Sequence, residues 1–148
     1  MCEVIYSMSN SKVSNKINEI LNMSRIGILS TAHNNVPNSR YMVFYNEGNI
    51  LYTKTNINSI KIDEIQSNPK AHILLGYDDT NNRSYLEIEA TLSIVQDQET
   101  IDWLWKRQDK SFFDNSEDPE LCVLKILPNT IKIMNDNELD QPEIVKFD

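Results

Sequence analysis

The chain has 148 residues, 40% of them hydrophobic, and its 14 Lys and Arg against 22 Asp and Glu give a formal net charge of -8 at pH 7. A single domain of this length buries about 70% of its unfolded surface, enough for a core without disulfide or metal staples. The acidic balance repels phosphate backbones and anionic lipid, which disfavours a nucleic-acid or membrane-surface role.

Cys2 and Cys122 are too few for a disulfide framework or a four-thiolate zinc site, and both are read as reduced thiols. Gly27, Gly48 and Gly76 are too dispersed for a GxGxxG or Walker loop, which excludes the standard dinucleotide and P-loop folds. His33 and His72 stand apart from any HExxH or Cys/His cluster, so no metal site is expected. Met1 to Tyr6 lack a basic stretch and a long apolar stretch, and nowhere do about 18 apolar residues run together. The expectation is a cytoplasmic protein.

In chain order, Val13, Ile17, Ile20 and Leu21 recur at helical spacing and predict an amphipathic helix from Ser11 to Met23. Arg25 to Thr31 reads as a strand, Ala32 to Asn38 as a turn, and Ser39 to Tyr45 as a second strand. Asn46 to Asn49 has hairpin chemistry, and Ile50 to Thr55 returns as the antiparallel partner. Asn58 or Ser59 caps a short helix with Ile62 and Ile65 inward, which ends at Asn68-Pro69 because the residue before proline avoids helical backbone.

Ala71 to Tyr77 is a fourth strand. Ser84 to Val95 alternates Leu86, Ile88, Ala90, Leu92 and Ile94 with Glu87, Glu89, Thr91 and Ser93, the pattern of a long strand wet on one face. Asp97 opens a helix carrying Ile101, Leu104 and Trp105, and Phe112-Phe113 and Asp118-Pro119 mark irregular chain. Leu121 to Leu127 and Thr130 to Asn135 read as two strands around a Pro128-Asn129 turn. Residues 1–10 and 136–148 are expected to be peripheral or flexible around one domain. Short turn-linked strands with three helices between them point to a mainly β (α+β) antiparallel barrel.

Positive charge and hydroxyls gather in one region: Arg40, then Thr53-Lys54-Thr55, then Ser59-Ile60-Lys61. A guanidinium on one hairpin strand, with a hydroxyl and an ammonium at a helix start, is a plausible phosphate cradle. A serine before a helix is also an ordinary cap, and a lysine there is ordinarily solvated. Trp103, Trp105, Phe112 and Phe113 fit either core packing or a wall for a flat ring. Glu87 and Glu89 fit either an acid/base pair or a solvated edge.

Several of these blocks in order resemble a known family: Arg25-Ile-Gly-Ile-Leu-Ser-Thr31, Pro37-Asn-Ser-Arg40-Tyr-Met42, Leu51-Tyr-Thr-Lys-Thr-Asn-Ile-Asn-Ser59-Ile-Lys61 and Asn68-Pro69. They are similar to the pyridoxamine 5'-phosphate oxidase-like FMN-binding split barrels. The general stress protein subgroup is nearest, through Leu104-Trp105, Phe112-Phe113 and Asp118-Pro119-Glu-Leu121. The resemblance implies a six-stranded antiparallel split β-barrel with Greek-key features and three flanking helices, which forms a homodimer holding FMN in clefts between subunits. Carried over, Arg40, Ser59 and Lys61 hold the flavin phosphate. Tyr41, Met42, Val43, Thr53, Lys54 and Thr55 line the ring and ribityl chain, largely through backbone groups.

The sequence departs from the oxidases at Tyr45 and Ile60, where they carry cations, and it has no Arg-x-His between Leu127 and Asn135. Pyridoxamine phosphate is therefore not implied as the substrate. The implied activity is a flavin-dependent oxidoreductase (reductase or oxidase) on a small molecule, with NAD(P)H as one candidate donor. The alternatives are a non-catalytic flavin or haem carrier or sensor, a cofactor-free dimer, and an OB-like nucleic-acid binder, the last opposed by the net charge.

Overall fold

The period-two alternation seen in the sequence becomes an antiparallel sheet whose two edges belong to one continuous stretch of chain. The computed structural model describes residues 3–58, 62–80, 84–107, 115–137 and 142–147, with backbone alone for 3–11. Eleven elements follow in order: α1 (Glu3–Met23), β1 (Ile26–His33), β2 (Val36–Val43), β3 (Tyr45–Glu47), β4 (Ile50–Asn56), α2 (Ile62–Ser67), β5 (Lys70–Leu75), β6 (Tyr85–Ile94), α3 (Gln98–Lys106), β7 (Leu121–Met134) and β8 (Glu143–Lys146). The sheet order is β2-β1-β5-β6-β7-β4-β3, and β8 pairs with the far half of β7.

The two edge strands, β2 and β3, are consecutive in sequence and separated only by Phe44. The chain leaves β1 at Val43, passes through Phe44, buried at 2% exposure, and pairs with β4 from Tyr45 onward. At the crossing Thr53 of β4 is fully buried, and its hydroxyl donates to the Val43 carbonyl at 2.8 Å, tying β4 to the β2 edge. The sheet thus curls into a barrel that is shut at Phe44 and split beyond it. Gly27 permits this crossing, because a Cβ there would meet the Leu74 carbonyl oxygen at 2.5 Å and the Phe44 ring at 3.0 Å.

Leu86, Ile88, Ala90 and Leu92 on β6 meet Ile126, Ile131 and Ile133 of β7 in the main core. The expected turn at Pro128-Asn129 does not form, and β7 runs unbroken for 14 residues. Glu89 pairs with Thr130 and Ala90 with Pro128, so Asn129 is the extra residue of a β-bulge. The bulge accommodates a proline that cannot donate to the ladder. Asn129 is held by its carbonyl, which accepts from Phe147 N–H at 2.9 Å, and by its side-chain oxygen, which accepts from Thr91 at 3.1 Å. The chain end read as a peripheral tail contains β8, where Val145 is buried against the core. Two short additions, β3 and β8, account for the difference from six strands.

α1 starts eight residues before the expected Ser11. Its Val13, Ile17, Ile20 and Leu21 close the core as their spacing demands. Lys16 reaches Asp136, just past β7, at 3.3 Å. α3 begins at its Asp97 N-cap and covers the outside of β4 and β7, packing Leu104 with Tyr45, Tyr52 and Val123 in a second core.

Candidate functional site

β1 and β2 are joined by a two-residue turn, with Asn34 at φ 51° and Asn35 at φ 63°. Both values are left-handed, the backbone that a type I′ hairpin requires and that asparagine tolerates. The wide turn expected from Ala32 to Asn38 therefore contracts to two residues, and β2 begins at Val36. Leu29 faces Arg40 and Thr31 faces Asn38 across the pair, so Thr31 is the diagonal neighbour of Arg40 on the inward face. Both terminal nitrogens of Arg40 donate to the Thr31 hydroxyl oxygen at 3.2 Å.

α2 supplies the opposite wall. Asn68, at its end, donates from its side chain to the Ala32 carbonyl at 3.1 Å, and His33 Nε2 lies 3.7 Å from Glu64 Oε1. Between hairpin and helix is a cavity of ≈ 380 Å³ lined by Thr31, His33, Asn38, Arg40, Glu64 and Asn68, among others. That volume lies within the range of about 300–1,000 Å³ usual for small-molecule sites. The half-buried guanidinium has five N–H donors and gives two to Thr31, which leaves three for a ligand.

The remaining residues singled out by the sequence are distributed over both faces of the barrel. Met42 shares the inward face of Arg40 and packs against the core, whereas Tyr41 and Val43 point outward at 76% and 44% exposure. The Thr53 hydroxyl is spent on Val43, Thr55 is half-buried opposite Cys122, and Lys54 lies over the Trp105 ring at 5.3 Å from its centroid. Ser59 and Lys61, with Ile60, lie outside the described residues, as does Phe112-Phe113.

Backbone geometry adds a further feature. Phe44 N–H donates to the Arg25 carbonyl at 2.6 Å, so by antiparallel alternation Val43, Tyr41, Ser39 and Pro37 turn their backbone groups away from β1. Tyr41 and Ser39 thus present peptide donors and acceptors along the open edge of β2. Pro37, which has no N–H, occupies one of these edge positions.

Trp103 stacks edge-on against Tyr52 at 5.3 Å and carries Arg107 over its ring at 4.9 Å, so this tryptophan packs the α3 face. Glu89 lies opposite His72 on the outer surface and accepts from Thr130 at 3.3 Å. Cys122 is free and buried, and burial raises its thiol pKa. Among the described residues no cluster of His, Cys, Asp and Glu is arranged to hold a metal, and no helix is long and apolar enough to cross a membrane.

Residues 13–135 match the family described as pyridoxamine 5'-phosphate oxidase. The chain belongs to that family. It is similar to general stress protein 26 of Bacillus subtilis strain 168, with 35% identity over 88% of this chain and 94% of that one. The crystal structure of general stress protein 26 from Bacillus anthracis Sterne superposes with a TM-score of 0.78 at 33% identity, covering 91% of this chain and 98% of that one. A Clostridium acetobutylicum protein related to general stress protein 26 shares the fold at 20% identity and a TM-score of 0.77, over 92% and 95% of the two chains.

Proposed function

We propose that the chain binds FMN at the cavity between the β1–β2 hairpin and α2, and acts as an FMN-dependent oxidoreductase on a small molecule. The observation that carries this reading is Arg40, a half-buried cation on the cavity wall with N–H donors to spare. A half-buried guanidinium on a cavity wall is well placed to take an anionic partner, and a phosphate dianion suits its planar fork. Ser59 and Lys61 stand in the segment between β4 and α2 and would add a hydroxyl and an ammonium to the same phosphate.

Bound FMN supplies two-electron redox chemistry at its ring. The protein's own work is positional. Arg40 neutralises and orients the phosphate, and the backbone groups of Ser39 and Tyr41 on the open β2 edge offer hydrogen bonds to the flavin ring. No side chain is assigned a proton-transfer role. Without the Arg-x-His pair the reading does not extend to pyridoxamine phosphate as substrate.

The reading includes a homodimer in the cytoplasm. Ile26, Tyr41 and Tyr77, 66%, 76% and 58% exposed, line a depression of ≈ 510 Å³ outside β1, β2 and β5, and Val43, 44% exposed, lies across the strand pair from Ile26. Apolar surface of this kind favours burial against a second copy. Tyr41 and Val43 would then border the partner's flavin, which gives side chains facing away from Arg40 a place in a shared cleft.

The visible spectrum of the purified protein, before and after added FMN, tests the cofactor. Flavin bands are expected, and a Soret band would replace this reading with haem carriage. Arg40→Ala is expected to weaken FMN binding by about 1.5–3 kcal/mol, the worth of hydrogen bonds to charged groups. Equal FMN affinity in both proteins would reject the site. Anaerobic bleaching by NADH or NADPH would support a reductase, and a flavin that no reduced nicotinamide bleaches would favour a carrier.

A further inference from the structure

Thr31 is the sole hydrogen-bond partner of the Arg40 guanidinium among the described residues, and the shape of that contact restricts what the guanidinium can do. One oxygen equidistant, at 3.2 Å, from both terminal nitrogens must sit in the end-on fork between them. The side-on fork, formed by Nε–H and the neighbouring terminal N–H, is the pair left for two oxygens of one ligand group. With both hydrogen bonds directed at its oxygen, the Thr31 hydroxyl keeps only its own hydrogen to offer, as a donor.

We infer that Thr31 is a positioning residue that gives the site its preference for a phosphorylated over an unphosphorylated flavin, by holding the Arg40 guanidinium with its side-on fork toward the cavity. The inference rests on the FMN reading above. An arginine side chain has several freely rotating bonds, and ordering them before the ligand arrives removes part of the entropic cost of binding. The register makes the arrangement rigid. Thr31 and Arg40 are diagonal neighbours on one face of a paired hairpin, and Asn68 fixes the adjoining Ala32 carbonyl to α2.

The experiment titrates FMN and riboflavin separately into flavin-free protein and follows quenching of flavin fluorescence. Thr31→Val retains the β-branched shape and strand propensity while removing the acceptor. Wild type is expected to prefer FMN. Thr31→Val should reduce that preference about tenfold through FMN alone and leave riboflavin affinity unchanged, and Thr31→Ser, which keeps the hydroxyl, should restore it. In an Arg40→Ala background, Thr31→Val should change FMN affinity by less than about twofold, because the group it positions is gone.

An unchanged preference in Thr31→Val overturns the inference, and so does an equal loss for both flavins, the mark of a packing role. Failure of serine to rescue, or a full tenfold loss in the Arg40→Ala background, overturns it as well. A wild type that binds neither flavin, or both equally, instead rejects the FMN reading on which the inference rests.

Discussion

On one side of the barrel, Tyr45, Tyr52 and Val123 turn outward from β3, β4 and β7, and α3 covers them with Leu104, Ile101 and Trp103. On the other side, Ile26, Tyr41 and Val43 turn outward from β1 and β2 and remain 66%, 76% and 44% exposed. The difference follows from connectivity. The link between β6 and β7 is long enough to lay a nine-residue helix across their neighbours, whereas β1 and β2 are joined by two residues that cannot cover anything. Apolar patterning on the first face specifies a fold, whereas the same patterning on the second leaves the surface that the proposed dimer would bury.

Truncation at the covered face is expected to have the largest effect. Leu104 is 1% exposed at the centre of the second core, so Leu104→Ala should cost about 2–5 kcal/mol of folding stability. The midpoint of urea denaturation at fixed protein concentration checks this. A loss below about 1 kcal/mol would mean that α3 is not integral to the barrel.

A charge on the bare face should act differently. Tyr41→Lys places an ammonium on a side chain already 76% exposed, so the isolated fold should lose no more than about 0.5 kcal/mol. In a dimer across this face the same charge would be buried against the second copy, and self-association should weaken at least about tenfold. Light scattering across a concentration series separates the two effects. Unchanged dimer mass in Tyr41→Lys would place the second copy on some other surface.

The covered face was the more legible of the two in the sequence. Alternation along β6 gave its inward and outward residues directly, and Asp97 marked the start of α3. Pro128-Asn129 was misread because a bulge and a turn use the same residue chemistry, and only the pairing of Glu89 and Ala90 across the break separates them. β8 was missed because four residues among acidic neighbours lack the length for alternation to register. At the site, Arg40 stood out as a cation beside hydroxyls. Thr31 did not, since its meeting with Arg40 depends on a hairpin register set by a two-residue turn whose length the residues from Ala32 to Asn38 do not fix.

The smallest effect expected on the covered face is electrostatic and lies at the cap of its helix. Asp97 accepts from the Thr100 hydroxyl and from the Thr100 N–H at 3.0 Å, and these bonds, the hydroxyl first, hold its carboxyl below the ordinary value of 3.8. A carboxylate whose pKa is lower folded than unfolded stabilises the fold above the unfolded value, and the contribution disappears as pH falls through the folded one. Asp97→Asn keeps a good capping acceptor but removes the charge. The variant should melt slightly below wild type near neutral pH, and the gap should narrow as pH falls from neutral through and below the ordinary carboxylate value of 3.8. Thermal midpoints over that range decide the matter: a gap that stays constant would assign the cap to geometry alone, with the charge contributing nothing to how α3 holds its face.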